Sequence, residues 1–238
     1  MHPCSLRTAW RAVSLLALVA MLLAPTAASA QGSGPLHRAE GPQVQNGGMY
    51  PTVAQGLDNP RGMTLAPNGV LWVAEAGEGG PNCLDIRGPE GGAICLGESG
   101  AITAVDLRRN VQERVVEGLP SYADENGMAA TGPQGVALRG LGNAYATIGL
   151  GANPEQRAEL GPLGENFARV IRFDVRTGAV AYVADPGQFE NDHDPDGGQG
   201  GMVDTNPYAL LTLGGKSLAM TDAGGNDLLL IDPQTGGI

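Results

Sequence analysis

Two acids and two amides at matched positions are the residues best placed to do chemistry in this sequence. Glu75 and Asp222 each follow a proline by fifteen residues, and those prolines, Pro60 and Pro207, follow Asn59 and Asn206. If each proline opens a strand and each acid closes the strand paired with it, two carboxylates and two carboxamides gather at one end of the fold. An oxygen-only set of this kind suits calcium, which takes about six to eight oxygen ligands. Glu75, Asp222 and Asn206 would then hold a divalent metal able to assist hydrolysis or lyase chemistry on a small molecule, as in a lactonase. The alternative is structural: Asn-Pro fixes a turn, and the acids accept hydrogen bonds from loop amides. The corresponding residues of a middle unit are Gly132 and Ile148, so the ring of ligands is incomplete.

A second oxygen-rich stretch is Asp192-His193-Asp194-Pro195-Asp196-Gly197. Asp192, Asp194 and Asp196 match positions 1, 3 and 5 of a calcium loop, and Gly197 matches the glycine at position 6. Position 12 is Val203 instead of glutamate, although Asp204 follows it directly. The alternative is a solvated acidic loop. Nucleophilic catalysis has little support, since no Gly-x-Ser-x-Gly elbow is present and only His37 and His193 lie beyond the leader. Phosphate-loop and dinucleotide fingerprints are absent too.

These residues sit in a phrase that recurs. Asn59-Pro60-Arg61-Gly62-Met63-Thr64-Leu65 with Leu71-Trp72-Val73-Ala74-Glu75 reads as a hairpin around a Pro-Asn-Gly turn. It returns at Pro133 and at Pro207, 73 and 74 residues further on each time. Each unit offers strands near 62–66, 71–75, 101–107 and 112–117, then 135–138, 143–148, 169–174 and 180–184, then 208–213, 217–221 and 227–231. Four-stranded antiparallel units in tandem describe the blades of a β-propeller. The sequence therefore predicts an all-β fold with about three blades, at 56–117, 118–184 and 204–238. Trp72, Tyr145 and Ala219 share one repeat position and are expected between blades.

Asp106, Asp174 and Asp232 end third strands and are expected to satisfy turn amides. The long connections, residues 76–100, 118–134, 149–167 and 185–207, all fall at one end of such units. Long loops on a rigid scaffold form the expected working face. In one of them Asn153 caps a short helix, with Pro154 first and Gly161 closing it.

With 14 basic and 25 acidic residues and a net charge of −11, the chain is unsuited to nucleic acid or anionic membranes but leaves room for cations. Glycine at 38 and proline at 17 fit many tight turns. Residues 1–30 read as a secretory leader: Arg7 and Arg11, an apolar run from Ala12 to Ala24, then Ala28-Ser29-Ala30. Residues 31–55 are a loose polar lead-in. After leader removal Cys83 and Cys95 remain, and an oxidising compartment favours a disulfide between them.

Gly56-Leu57-Asp58-Asn59-Pro60-Arg61-Gly62, Val73-Ala74-Glu75-Ala76-Gly77 and Ala130-Thr131-Gly132-Pro133 resemble the ScyD/ScyE family of secreted bacterial proteins. So do Ile148-Gly149-Leu150-Gly151, Asp204-Thr205-Asn206-Pro207-Tyr208 and Asp222-Ala223-Gly224-Gly225-Asn226-Asp227. The resemblance runs from about Gly56 to the C-terminus and implies a six-bladed propeller related to NHL-repeat proteins, without a defined activity. It departs at Gln134, where the family pattern leads one to expect histidine.

The sequence thus points to an exported propeller that binds a small molecule or protein partner on its loop face, with metal-dependent hydrolysis or lyase chemistry as the alternative. Three units leave the third without its outer strand, so the chain reads as part of a larger ring. Open flanks and an unpaired strand edge predict association at micromolar concentration.

Overall fold

The computed structural model describes residues 52–87, 93–140, 142–197, 202–214 and 217–238. The expected leader, and all of the lead-in up to Pro51, lie outside them.

Each repeat opens on a hairpin whose register accounts for the fifteen-residue spacing. Strand β1 (Pro60–Leu65) pairs with β2 (Val70–Glu75), β6 (Pro133–Arg139) with β7 (Asn143–Ile148), and β10 (Pro207–Thr212) with β11 (Leu218–Asp222). The anchoring proline is always the cross-strand partner of the residue in question: Pro60 of Glu75, Pro133 of Ile148, Pro207 of Asp222. A register irregularity follows each proline. Proline cannot donate to a ladder, and the first position of a strand is where that defect costs least.

The remaining strands build three open antiparallel sheets. The first has β3 (Asn82–Arg87), β4 (Ala93–Asp106) and β5 (Val111–Ala123) in the order β1-β2-β4-β3, with β5 also paired to β4. The second runs β6-β7-β8-β9, where β8 is Arg169–Asp174 and β9 is Val180–Ala184. The third runs β10-β11-β12 and ends on β12 (Asp227–Ile231). Aspartates 106 and 174 each accept two turn amides, and Asp232 accepts that of Gln234.

First strands of neighbouring sheets lie almost backbone to backbone. A Cβ on Gly62 would fall 2.6 Å from the Gln134 carbonyl, and one on Gly135 would fall 2.5 Å from that of Tyr208. Only glycine fits at these contacts. Between the first two sheets, Trp72, Ala74, Ile102 and Val116 meet Val136, Ala146, Ile148, Ile171 and Phe173. The Trp72 and Phe173 rings are 5.8 Å apart. Between the second and third, Tyr145, Val170 and Ala184 meet Leu218, Met220, Leu229 and Ile231. Trp72 and Tyr145 thus pack between sheets as their shared repeat position predicts. On the third sheet Leu211, Leu228 and Leu230 remain 60–66% exposed.

Three segments differ from expectation. Residues 76–100 are not one long loop: β3 and an extended β4 continue the first sheet, and β5 runs on to Ala123. Buried Ile94, Cys95 and Leu96 on β4 hold this extension. Cys83 and Cys95 are register partners within it and are joined by a disulfide. Asn153 does cap a helix, but that helix is a 3-10 turn, η1 (Pro154–Ala158), and Gly161 opens a second one, η2 (Gly161–Asn166). The link after β9 contains an α-helix, α1 (Pro186–His193), capped by the Asp185 side chain and ended by Asp194 at φ 43°. No helix among the described residues is long and apolar enough to cross a membrane.

Candidate metal centre

The strand-end acids are held inside the fold by hydrogen bonds. Glu75, which ends β2, has no exposed surface. Its Oε2 accepts the Asp58 amide at 2.6 Å and Arg114 Nη2 at 2.7 Å, and its Oε1 accepts Arg114 Nε and the Thr103 hydroxyl. The Arg114 guanidinium also pairs with Asp58 at 2.8 Å. The Glu75 hydrogen bond raises the Arg114 pKa further above its already high value.

Asp222 ends β11 and repeats the arrangement with different partners. Its Oδ2 accepts the Thr205 hydroxyl at 2.5 Å, and its Oδ1 accepts the amides of Asn206, Gly224 and Gly225. Asn59, at φ 50°, donates to the carbonyls of Gly77 and Gly127, and Asn206 Oδ1 accepts the Leu150 amide at 3.3 Å. These four residues occupy matched places at their hairpin ends, yet Glu75 and Asp222 belong to two separate hydrogen-bond sets. Their oxygens hold loop amides and hydroxyls, and at Glu75 a guanidinium, which is the structural alternative read from the sequence.

Carboxylate oxygens converge instead at the end of α1. Glu190, Asp194 and Asp196 offer ligand atoms that all lie within 4.8 Å of one another. Helical spacing places Glu190 and Asp194 one turn apart, and the left-handed residue Asp194 turns the chain back so that Asp196 joins them. Glu190 is 2% exposed, and its Oε1 has no hydrogen-bond partner. Asp192, the first residue of the predicted calcium loop, is turned to Gln188, whose Nε2 donates to it at 2.9 Å. It lies in the last turn of α1, and the expected open loop begins only at Asp194.

The turn between β11 and β12 closes over this group. A Cβ on Gly225 would fall 2.8 Å from Glu190 Oε2 and 3.6 Å from the Asp222 carboxyl carbon, so this turn lies directly against the two carboxylates. Asn226 Nδ2 donates to Asp196 at 2.8 Å. Both carboxylate oxygens of Asp227 are buried without a hydrogen-bond partner. Burial, then the charges of Asp222, Asp227, Asp196 and Asp194, push the Glu190 pKa up to about 7. Burial, then Asp222 and Asp196, push that of Asp227 up to about 6. Asp204 is raised by burial and by the same two aspartates. Among the described residues no ion pair reaches Glu190 or Asp227, and such uncompensated acids cost free energy that a divalent cation would offset.

Glu190 and Asp227 escaped the sequence reading. Asp185-Pro186 is a helix-start signature, and recognising it would have placed Glu190 and Asp194 on one face of a helix. Asp227 comes from another repeat, and only the tertiary fold brings it near. No family model matches this chain, and no curated protein is significantly similar to it.

Proposed function

We propose that this chain is an exported protein of β-propeller type that binds a divalent cation at its loop-bearing end and uses that end to engage a small molecule or protein partner. The three antiparallel sheets serve as successive blades, with strands spanning 60–123, 133–184 and 207–231. Their repeat spacing and the close contact of their first strands support this arrangement. The ScyD/ScyE-like motifs support the same architecture, and the leader and the disulfide suit an extracytoplasmic location.

One observation carries the cation reading: Glu190 is almost wholly buried, with an unpartnered oxygen in the same small volume as Asp194 and Asp196. All three donors are carboxylates, a hard set that suits calcium, whose coordination shell tolerates irregular geometry better than that of magnesium. Hydrolysis or lyase chemistry at a metal held by Glu75, Asp222 and Asn206 is less favoured, because their hydrogen bonds already occupy the oxygens it needs.

The test is thermal melting of chelator-treated protein with added calcium or magnesium. A ligand that binds only the folded state raises the melting temperature by mass action. Calcium is expected to raise it, with magnesium weaker and Glu190→Gln unresponsive. No shift with millimolar calcium in the wild-type chain would sink the proposal.

A further inference from the structure

The geometry points to a cation that acts as a latch, fastening the third sheet to the helix carried by the second. This inference rests on the cation reading and adds what the ion does. The two walls of the site belong to different parts of the fold. Helix α1 is fixed to the second sheet: Asp185 pairs with Arg157 of η1 at 2.9 Å and with Arg169 of β8 at 2.6 Å. The Gly187 amide also donates to the Ala168 carbonyl. Glu190, Asp194 and Asp196 follow directly from that anchored end.

The facing wall is the β11–β12 turn of the third sheet. It presents Gly225 against Glu190, Asn226 to Asp196, and the Asp227 carboxylate, buried with both oxygens unpartnered. Without a cation the two walls face each other through acids of one sign, linked by the neutral Asn226 bond. With a cation the same acids are drawn to one centre of opposite charge. Asp227 is then the third sheet's contribution, whether it touches the ion or balances it from the next layer out.

The third sheet is the natural element to be governed in this way. Among the described residues it has three strands, with β12 paired to β11. Segments with few partners open most readily, and an ion bound across such an opening suppresses it.

Hydrogen exchange on the full chain tests the latch, with calcium as the probe and chelator as the control. If opening of the third sheet breaks the site, a calcium concentration ten times Kd makes that opening about tenfold rarer. Exchange of amides at 223–231 is expected to slow by about that factor, while the β1–β2 hairpin changes little. Asp227→Asn is expected to keep calcium binding measurable by calorimetry while losing most of the added protection. Calcium that binds the wild-type chain but leaves exchange at 223–231 unchanged would overturn the latch and leave the cation reading intact. Protection in Asp227→Asn equal to wild type would overturn the role given to that residue. Absence of any calcium binding by the wild-type chain would remove both.

Discussion

Glu75 and Arg114 form a two-point ion pair, with Arg114 Nη2 2.7 Å from Oε2 and Nε 3.2 Å from Oε1, and Glu75 has no contact with solvent. Removing the cation leaves a buried carboxylate without its counter-charge. Arg114→Ala is expected to destabilise the chain by about 3 kcal/mol, the lower end for a broken buried pair because Arg114 is partly exposed. Glu75→Gln with Arg114→Met should recover much of that loss. Denaturant melts of the single and double variants measure it, and an unchanged midpoint in Arg114→Ala would count against the pair's role.

The disulfide locks two register partners at the outer end of the first sheet, across a sequence separation of 12. Closing a loop of that size is worth about 3 kcal/mol in the chain-entropy picture. Reduction, or Cys83→Ala with Cys95→Ala, is expected to lower the denaturation midpoint by a comparable amount. Mass spectrometry of non-reduced protein should find no free thiol at either position.

Tyr122 gives an alkaline signature. Its hydroxyl is buried and donates to the Leu150 carbonyl. Burial pushes its pKa up to about 12, against a smaller lowering from Thr131. The folded value lies above the unfolded one, so this contribution is complete below about pH 10 and is lost as pH climbs toward 12. Tyr122→Phe should flatten the fall in melting temperature across that window relative to wild type.

Leu211, Leu228 and Leu230 expose an aliphatic face on the third sheet. Contiguous exposed leucines favour association. The chain is expected to self-associate at micromolar concentration, and Leu228→Glu with Leu230→Glu should shift it toward monomer in light scattering. A wild-type chain that stays monodisperse at those concentrations would contradict this.

The hairpins were legible because their register is local: a proline, a tight turn and a strand end fifteen residues on state it directly. The extension of the first sheet was not, since Gly79, Gly80, Pro81 and Gly97 read as loop residues. Of the acidic loop, Asp194 and Asp196 lie together beside Glu190, whereas Asp192 is turned to Gln188 because α1 continues to His193. Glu75 read as a turn acceptor or a metal ligand but not as an ion-pair partner, because Arg114 lies 39 residues away and only the sheet pairing brings it alongside. Sequence proximity shows the donors on one loop; it does not show what folds back over them.

The most direct measurement is a calorimetric titration of calcium into chelator-treated wild type, Glu190→Gln and Glu75→Gln. Saturable binding of one ion per chain is predicted for wild type, retained in Glu75→Gln and lost in Glu190→Gln. Binding that survives in Glu190→Gln and disappears in Glu75→Gln would place the ion at the strand ends and contradict the account.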